Sequence, residues 1–307
     1  MDALKRSIYG TALLLGIAAV AAGLMTKSAE AGHPPIGKFL TVDGMRLHYV
    51  DKGLGPALLL IHGNGMMVED FVTSGLLDKL AETHRVIAFD RPGFGYSDRS
   101  RSVTWTADRQ ADLLAKGLAK LGVTSATVVG HSIGTQLAVS LALNHPELVK
   151  SLVLLSGYYF PDFRLDATLT APVSLPVLGD LYRYTVAPFV TRLMAHHAVQ
   201  GMFAPQDVPR RFSDEFPLEL MARAGQIGAA SGDATQMMST AAIHAPRYAE
   251  LKMPMSIVAG TQDGIVDFKK NAVRLHSCIP GSQLVLLPDL GHMVHHSGLG
   301  QVSSLIA

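Results

Sequence analysis

A chain of 307 residues that is 48% hydrophobic and 17% charged is neither disordered nor fibrous, because disorder requires low hydrophobicity and high net charge. Its 26 Lys and Arg against 25 Asp and Glu leave a net charge of +1, too little field to attract nucleic acid. The single cysteine, Cys278, excludes an internal disulfide framework and a cysteine-based zinc ribbon.

The chain opens on an apolar segment. Ile8 to Met25 is rich in Leu, Ala and Val, contains no ionisable group except Tyr9, and follows Lys5 and Arg6. As a helix these residues rise about 27 Å, close to the ~30 Å hydrocarbon core of a bilayer. The basic pair before the segment favours a cytoplasmic N-terminus and an exported body. Two fates are open: a membrane anchor, or a signal peptide cleaved at the A-x-A-like site Ala29-Glu30-Ala31 to leave Gly32 first, in a periplasmic or secreted protein. The expected divisions are an anchor or signal over 1–31, a linker at His33-Pro34-Pro35, and a body from Ile36.

Lys38–Val42 and Met45–Val50 alternate apolar and polar residues around Asp43-Gly44, a strong hairpin signal. Ala57–Ile61, Arg85–Phe89, Thr127–Gly130, Ser151–Leu155, Met255–Ala259 and Gln283–Leu287 are continuous apolar runs, as in strands buried on both faces. Helical stretches lie between them at Val68–Glu82, Thr106–Leu121, Ile133–Asn144 and Lys269–Ser277. Thr104 or Thr106 is placed to cap the second of these, and Gly122 to end it. A hairpin followed by strand–helix repeats implies a mostly parallel eight-stranded sheet with helices on both faces. The alternation stops after Ser156. Pro161, Pro172, Pro176, Pro188, Pro205, Pro209, Pro217 and Pro246 divide the next stretch into short helices. The core is thus expected over 36–157 and 251–307, with a helical cap inserted at 158–250.

The decisive segment is Gly130-His131-Ser132-Ile133-Gly134, a G-x-S-x-G motif between an apolar strand and a helix of small and apolar residues. In that setting the tight strand-to-helix turn needs both glycines and thrusts the serine into the open as a nucleophile. A bare hydroxyl is a poor nucleophile, so a base and an orienting acid must follow, in the order Ser, acid, His. His292 stands just after the last strand and is the expected base; His276, His295 and His296 are rivals, the last two read as helix-surface or pocket-rim residues. Asp263 follows the strand Met255–Ala259 and is the expected acid. Asp267 fits better at the start of the next helix, where its charge offsets the dipole. The loop after the preceding strand offers no carboxylate before Asp162. The oxyanion donors are expected to be the backbone N–H groups of Ile133 and of Asn64 in His62-Gly63-Asn64-Gly65. The Asn64 side-chain amide has two further possible uses, as an added donor or as a helix cap. His62 is expected to be a structural hydrogen-bonder.

Together with Asp90-Arg91-Pro92-Gly93-Phe94-Gly95-Tyr96-Ser97, Gly260-Thr261-Gln262-Asp263 and Gly291-His292, these motifs make residues 36–307 resemble the α/β-hydrolase superfamily, in particular its capped, serine esterase-like members. The resemblance implies an α/β-hydrolase fold and cleavage of a carboxylic ester through an acyl-enzyme on Ser132, Asp263 and His292, with no cofactor. The expected partner is a small apolar ester, with membrane contact through the N-terminal segment if it is kept. Haloalkane dehalogenases and epoxide hydrolases of this fold carry Asp at the elbow, so displacement at sp³ carbon is not expected here. The same triad also suits perhydrolysis or C–C bond hydrolysis beside a ketone, and a receptor-like ligand-binding protein could retain it.

Two other patterns point elsewhere. Gly63-x-Gly65 and Gly93-x-Gly95 start like dinucleotide fingerprints, but Val68 and Asp98 occupy the third glycine position. His292, His295 and His296 have metal-like spacing, yet no carboxylate of H-E-x-x-H type stands among them, so no metal site is expected. The cap's Met194, Met202, Met221, Met237 and Met238, with Phe160, Phe163, Phe189 and Phe203, are expected to form mostly its own core, a few lining an adaptable apolar pocket.

Overall fold

The computed structural model describes residues 2–162, 173, 175 and 177–306; Phe163, Pro172 and Pro176 lie outside them. The body begins with β1 (Lys38–Val42) and β2 (Met45–Lys52), antiparallel across Asp43 and Gly44. Both turn residues have positive φ (49° and 78°), the backbone that an Asp-Gly hairpin turn requires. There follow β3 (Ala57–Ile61), α2 (Glu69–Thr73), α3 (Leu76–Leu80), β4 (Arg85–Phe89), α4 (Ala107–Lys120), β5 (Ala126–His131), α5 (Gly134–Asn144) and β6 (Val149–Leu155). After a helical insertion the chain resumes with β7 (Met255–Gly260), a π-helical turn at Lys269–Val273 leading into a short helix at Arg274–Cys278, and β8 (Gln283–Leu287). Two short C-terminal helices, Val294–Ser297 and Leu299–Ser304, close the core.

The eight strands form one sheet in the order β1-β2-β4-β3-β5-β6-β7-β8, parallel from β4 to β8. Successive residues on each central strand feed two separate cores. Leu59, Ile61, Val128, Leu152, Leu154 and Ile257 pack on the face covered by α4 and α5. Leu58, Leu60, Val129, Val153, Leu155 and Val258 pack on the face covered by α2 and α3. Burial on both faces explains why these strands read as unbroken apolar runs. Each such side chain contributes roughly 1.5–3 kcal/mol of transfer free energy.

Two helices differ from expectation. Val68–Glu82 is not one helix: Gly75, at φ +80°, breaks it into α2 and α3. The stretch from Lys269 starts as a π turn before becoming α-helical. α4 starts as expected, with the Thr106 hydroxyl accepting the Arg109 N–H, and Gly122 (φ +73°) follows its end.

Between β6 and β7 the regular elements of the described residues are all helical: α6 (Leu178–Thr185), α7 (Ala187–Phe203), α8 (Arg210–Glu215), α9 (Leu218–Met221), α10 (Ala224–His244) and a 3-10 helix at Ala245–Glu250. N-terminal to the body, α1 (Asp2–Gly32) is long and apolar enough to cross a membrane. It runs about two turns past Met25, so the A-x-A segment lies on helix. Ala29 is buried with Phe203, Phe212, Phe216 and Leu220 of the insertion, and Glu30 pairs with Arg223 at 3.1 Å.

Candidate active site

The loops after β3, β5, β7 and β8 emerge at one end of the sheet, because these strands are parallel and run side by side or one strand apart. Ser132 follows β5 with φ +53°, a left-handed backbone that costs a residue with a side chain about 1–3 kcal/mol. The turn is held by the Ser132 N–H bonding to Leu155 O (2.9 Å) and the Thr135 hydroxyl bonding to Ser132 O (2.6 Å). The two motif glycines have steric causes. A Cβ on Gly130 would lie 2.7 Å from Gly134 O, and one on Gly134 would lie 2.3 Å from Ile61 O.

Asp263 and His292, the acid and base expected from the sequence, lie side by side. His292 Nδ1 is 2.8 Å from Asp263 Oδ2, and both side chains are buried. The other oxygen, Oδ1, accepts the N–H groups of Ile265 (2.8 Å) and Val266 (2.9 Å), which fixes the carboxylate plane. A carboxylate only accepts, so the imidazole proton sits on Nδ1 and the Nε2 lone pair is left bare. Asp267 instead caps the following turn, accepting from the Lys269 and Lys270 N–H groups. His276 bonds the Ser282 hydroxyl at 2.9 Å and stays outside this group.

Register pairs Ile61 with Gly130, so the His62–Gly65 loop leaves the sheet beside the elbow. A Cβ on Gly63 would sit 3.2 Å from Ser132 Cβ, so glycine lets this loop approach the serine. Among the described residues neither the Asn64 nor the Ile133 N–H has a protein acceptor, which leaves both available to a ligand oxygen. The Asn64 side chain neither adds a donor nor caps a helix: its amide bonds Ala230 O on α10 at 3.1 Å. His62 donates from Nδ1 to Gly63 O and accepts the Arg91 N–H on Nε2. Burial, then the Arg91 charge, lowers its pKa to about 4, which keeps it neutral and structural.

His295 and His296 do not lie on a helix surface or a pocket rim. Their short helix packs inward, against Phe71 on one side and Phe203 and Phe212 on the other. Both imidazoles bond the buried Asp70 of α2, one to each oxygen, at 3.0 and 2.8 Å. Burial alone would raise the Asp70 pKa, but the two histidines outweigh it and hold the carboxyl well below its usual range. These three residues bring donor atoms within 4.8 Å of one another. Each Asp70 oxygen is nevertheless already engaged by an imidazole, as in a clamp that ties the His292 loop to α2.

Sequence reasoning missed two supporting residues. His131, the variable position of G-x-S-x-G, donates from Nε2 to His292 O at 3.2 Å, and its ring lies between those of His292 and His295. Burial and the neighbouring His295 and His292 hold it neutral. Arg91 is fully buried; its guanidinium bonds His62 O and Gly63 O (3.1 Å each), Gln110 and Asp233 of α10. It braces the loop that carries Asn64. The only sequence signal for either was membership of a motif.

Of the methionines expected mostly in the cap's own core, Met237 packs on Ile133 with Tyr158 and Ala241, and Met221 stands against Gly65. Met194 and Met238 face outward, Phe160 belongs to the sheet core, and Phe203 to the core of the insertion. A separate cavity of about 1050 Å³ opens between α1, the 93–105 segment, α6 and α10. Ala19, Ala22, Trp105, Arg183 and Gln226 stand in its walls, and Ser132, Asp263 and His292 do not.

A family model of the alpha/beta hydrolase fold matches residues 56–299. The chain belongs to the α/β-hydrolase family. An uncharacterised protein of Mycobacterium tuberculosis is 32% identical over 284 residues, covering 86% of this chain and 77% of that protein. A 2-hydroxymuconate semialdehyde hydrolase of Pseudomonas sp. is 37% identical over 137 residues, 44% of this α/β hydrolase and 48% of its relative. A membrane phospholipase A of known structure shares the fold, with TM-score 0.66 and 24% identity over 98% of this chain and 96% of that one.

Proposed function

We propose that this α/β hydrolase is a serine esterase for small apolar esters, acting through Ser132, His292 and Asp263. The observation that carries the reading is the Asp263–His292 pair, with the second carboxylate oxygen saturated by two backbone N–H groups, beside a left-handed serine at a strand-to-helix elbow. In this mechanism His292 Nε2 takes the Ser132 proton as Oγ attacks the ester carbonyl. Asp263 holds the tautomer and stabilises the imidazolium. The Asn64 and Ile133 N–H groups bind the oxyanion. The imidazolium then protonates the leaving alcohol, and water attacks the acyl-enzyme with His292 again as base. In this reading the described part of residues 158–250 is the cap over the site, and Met221 and Met237 supply its apolar wall.

We read α1 as a retained anchor with the hydrolase body exported. The buried Ala29 and the Glu30–Arg223 pair support this, since cleavage after Ala31 would remove both contacts.

A second reading, C–C bond hydrolysis by the same atoms, is favoured by the likeness to 2-hydroxymuconate semialdehyde hydrolase, whose named substrate is a carbonyl compound rather than an ester. A p-nitrophenyl ester chain-length series on the full chain in detergent separates the two. Turnover of these esters that is abolished by Ser132→Ala supports the esterase. Negligible turnover of every ester, or activity that survives Ser132→Ala, would contradict it.

A further inference from the structure

Exposed large apolar side chains are unevenly spread. Eleven lie between residues 175 and 194, against six on α1 and six in all the rest of the described chain. The stretch of twenty residues is therefore the main apolar surface of the body. α6 and the first half of α7 are built inside out. α6 buries Gly179 and Thr185 and turns Leu178 (69% exposed), Leu181 and Tyr182 outward. Over its first half α7 buries Ala187, Pro188 and Ala195 and exposes Phe189, Val190, Leu193 (82%) and Met194, whereas its second half turns Val199 and Phe203 inward. In water such a face is a standing cost, and patches of this kind mark contact with a partner or a membrane.

Its place relative to α1 says which. α6 packs on α1, and Ala19, Ala22, Gly23 and Thr26 of α1 share a cavity wall with Asp180, Arg183 and Tyr184 of α6. Those α1 residues include the last two turns of the apolar segment that ends at Met25. Two turns are about 11 Å of helix, close to the roughly 5–10 Å depth at which amphipathic helices lie in a bilayer interface. With Ile8–Met25 in the hydrocarbon, α6 has to stand at the level of the lipid headgroups and upper chains. Lys27, exposed and without an ion-pair partner among the described residues, stands two residues past Met25 on α1, where anionic headgroups attract it.

We propose that the outward face of α6 and α7 is a second membrane contact, immersed in the interface of a phospholipid bilayer beside α1. The cap and the span are then seated on one bilayer, and the cap meets esters dissolved in lipid rather than in water. The proposal rests on the reading of α1 as a retained span and is independent of the chemistry at Ser132.

The test uses the full chain with Cys278→Ser, reconstituted in phosphatidylethanolamine–phosphatidylglycerol vesicles. A polarity-sensitive fluorophore is placed through Leu178→Cys, through Leu193→Cys, or through Leu54→Cys, a position 88% exposed in the turn after β2. Blue-shifted emission at 178 and 193, quenched by lipids carrying a spin label near the headgroup, with a water-like spectrum at 54, is the expected result. Water-like spectra at all three positions would overturn the proposal. A blue shift that lipid quenchers do not touch, and that disappears when the protein is diluted in the bilayer, would overturn it in favour of a second copy of this chain. As a functional counterpart, Leu181→Asp with Leu193→Asp should lower hydrolysis of a vesicle-borne ester about tenfold while leaving a short soluble ester unaffected. Equal hydrolysis of the vesicle-borne ester by variant and unaltered chain would count against the contact. If the unaltered chain hydrolyses neither ester, the esterase reading fails while the fluorescence result still decides the membrane contact.

Discussion

Around the ends of β3, β5, β7 and β8, apolar side chains point inward and buried charge is met by a partner. Asp263 has three hydrogen bonds, Asp70 holds two imidazoles, and Arg91 is engaged at every arm. On α6 and the first half of α7 the order is reversed, with small residues inside and Leu, Phe and Tyr outside. The two regions are built for different surroundings. The sheet end is over-determined, as a site that must hold reacting groups within a fraction of an ångström has to be. The outer helices are cohesive only if something other than water covers them.

The largest expected effect lies at the sheet end. Asp263→Asn should lower kcat by about 10³–10⁴, because the amide presents a donor to Nδ1 and favours the wrong imidazole tautomer. Steady-state ester hydrolysis measures this; unchanged activity would move the role of the acid elsewhere. Asp233→Ala comes next. It strands the buried Arg91 and loosens the loop of Asn64, and breaking such a pair costs roughly 3–5 kcal/mol, readable as a fall in Tm.

Glu69 tests the same region through pH. Burial, then the Asp90 charge, raises its carboxyl pKa to about 8, and its Oε2 has no partner. The unfolded chain loses this proton near the ordinary value of 4.5, whereas the folded chain keeps it to about 8. The folded state is therefore favoured below the lower value and progressively penalised up to the higher one. Glu69→Gln should match the unaltered chain at pH 4 and exceed it at pH 9 by roughly 2–4 kcal/mol in denaturant unfolding. A pH-independent difference would show that Glu69 is not held protonated.

The smallest effects sharpen the contrast directly. Leu60→Ala in the sheet should cost about 2–5 kcal/mol, while Leu193→Ala on α7 should change stability in detergent by no more than about 0.5 kcal/mol. Equal costs would mean that the face of α7 is packed against protein.

The strands and the strand-to-helix elbow were legible because their signals are local. Doubly buried strands read as apolar runs, and Gly130 and Gly134 betray a turn with no room for side chains. What sequence could not show depends on distant partners. Asp70 lies 225 residues from His295, so two buried histidines look like surface ones. Arg91 and Asp233 are 142 residues apart and neither carries a pattern of its own. Phe189 and Met194 of α7 read as the cap's core because composition does not reveal which way a helix is turned. Gly75 stood within an apolar periodic stretch, and only its left-handed backbone shows that the helix ends there.

The central claim is that Ser132 is the nucleophile, and covalent labelling tests it most directly. The full chain would be treated with a fluorophosphonate and its peptides mapped by mass spectrometry as ester hydrolysis is followed. The expected result is one label, on Ser132, with activity lost in proportion to labelling. Label on another residue, or ester hydrolysis that survives complete modification of Ser132, would contradict the account.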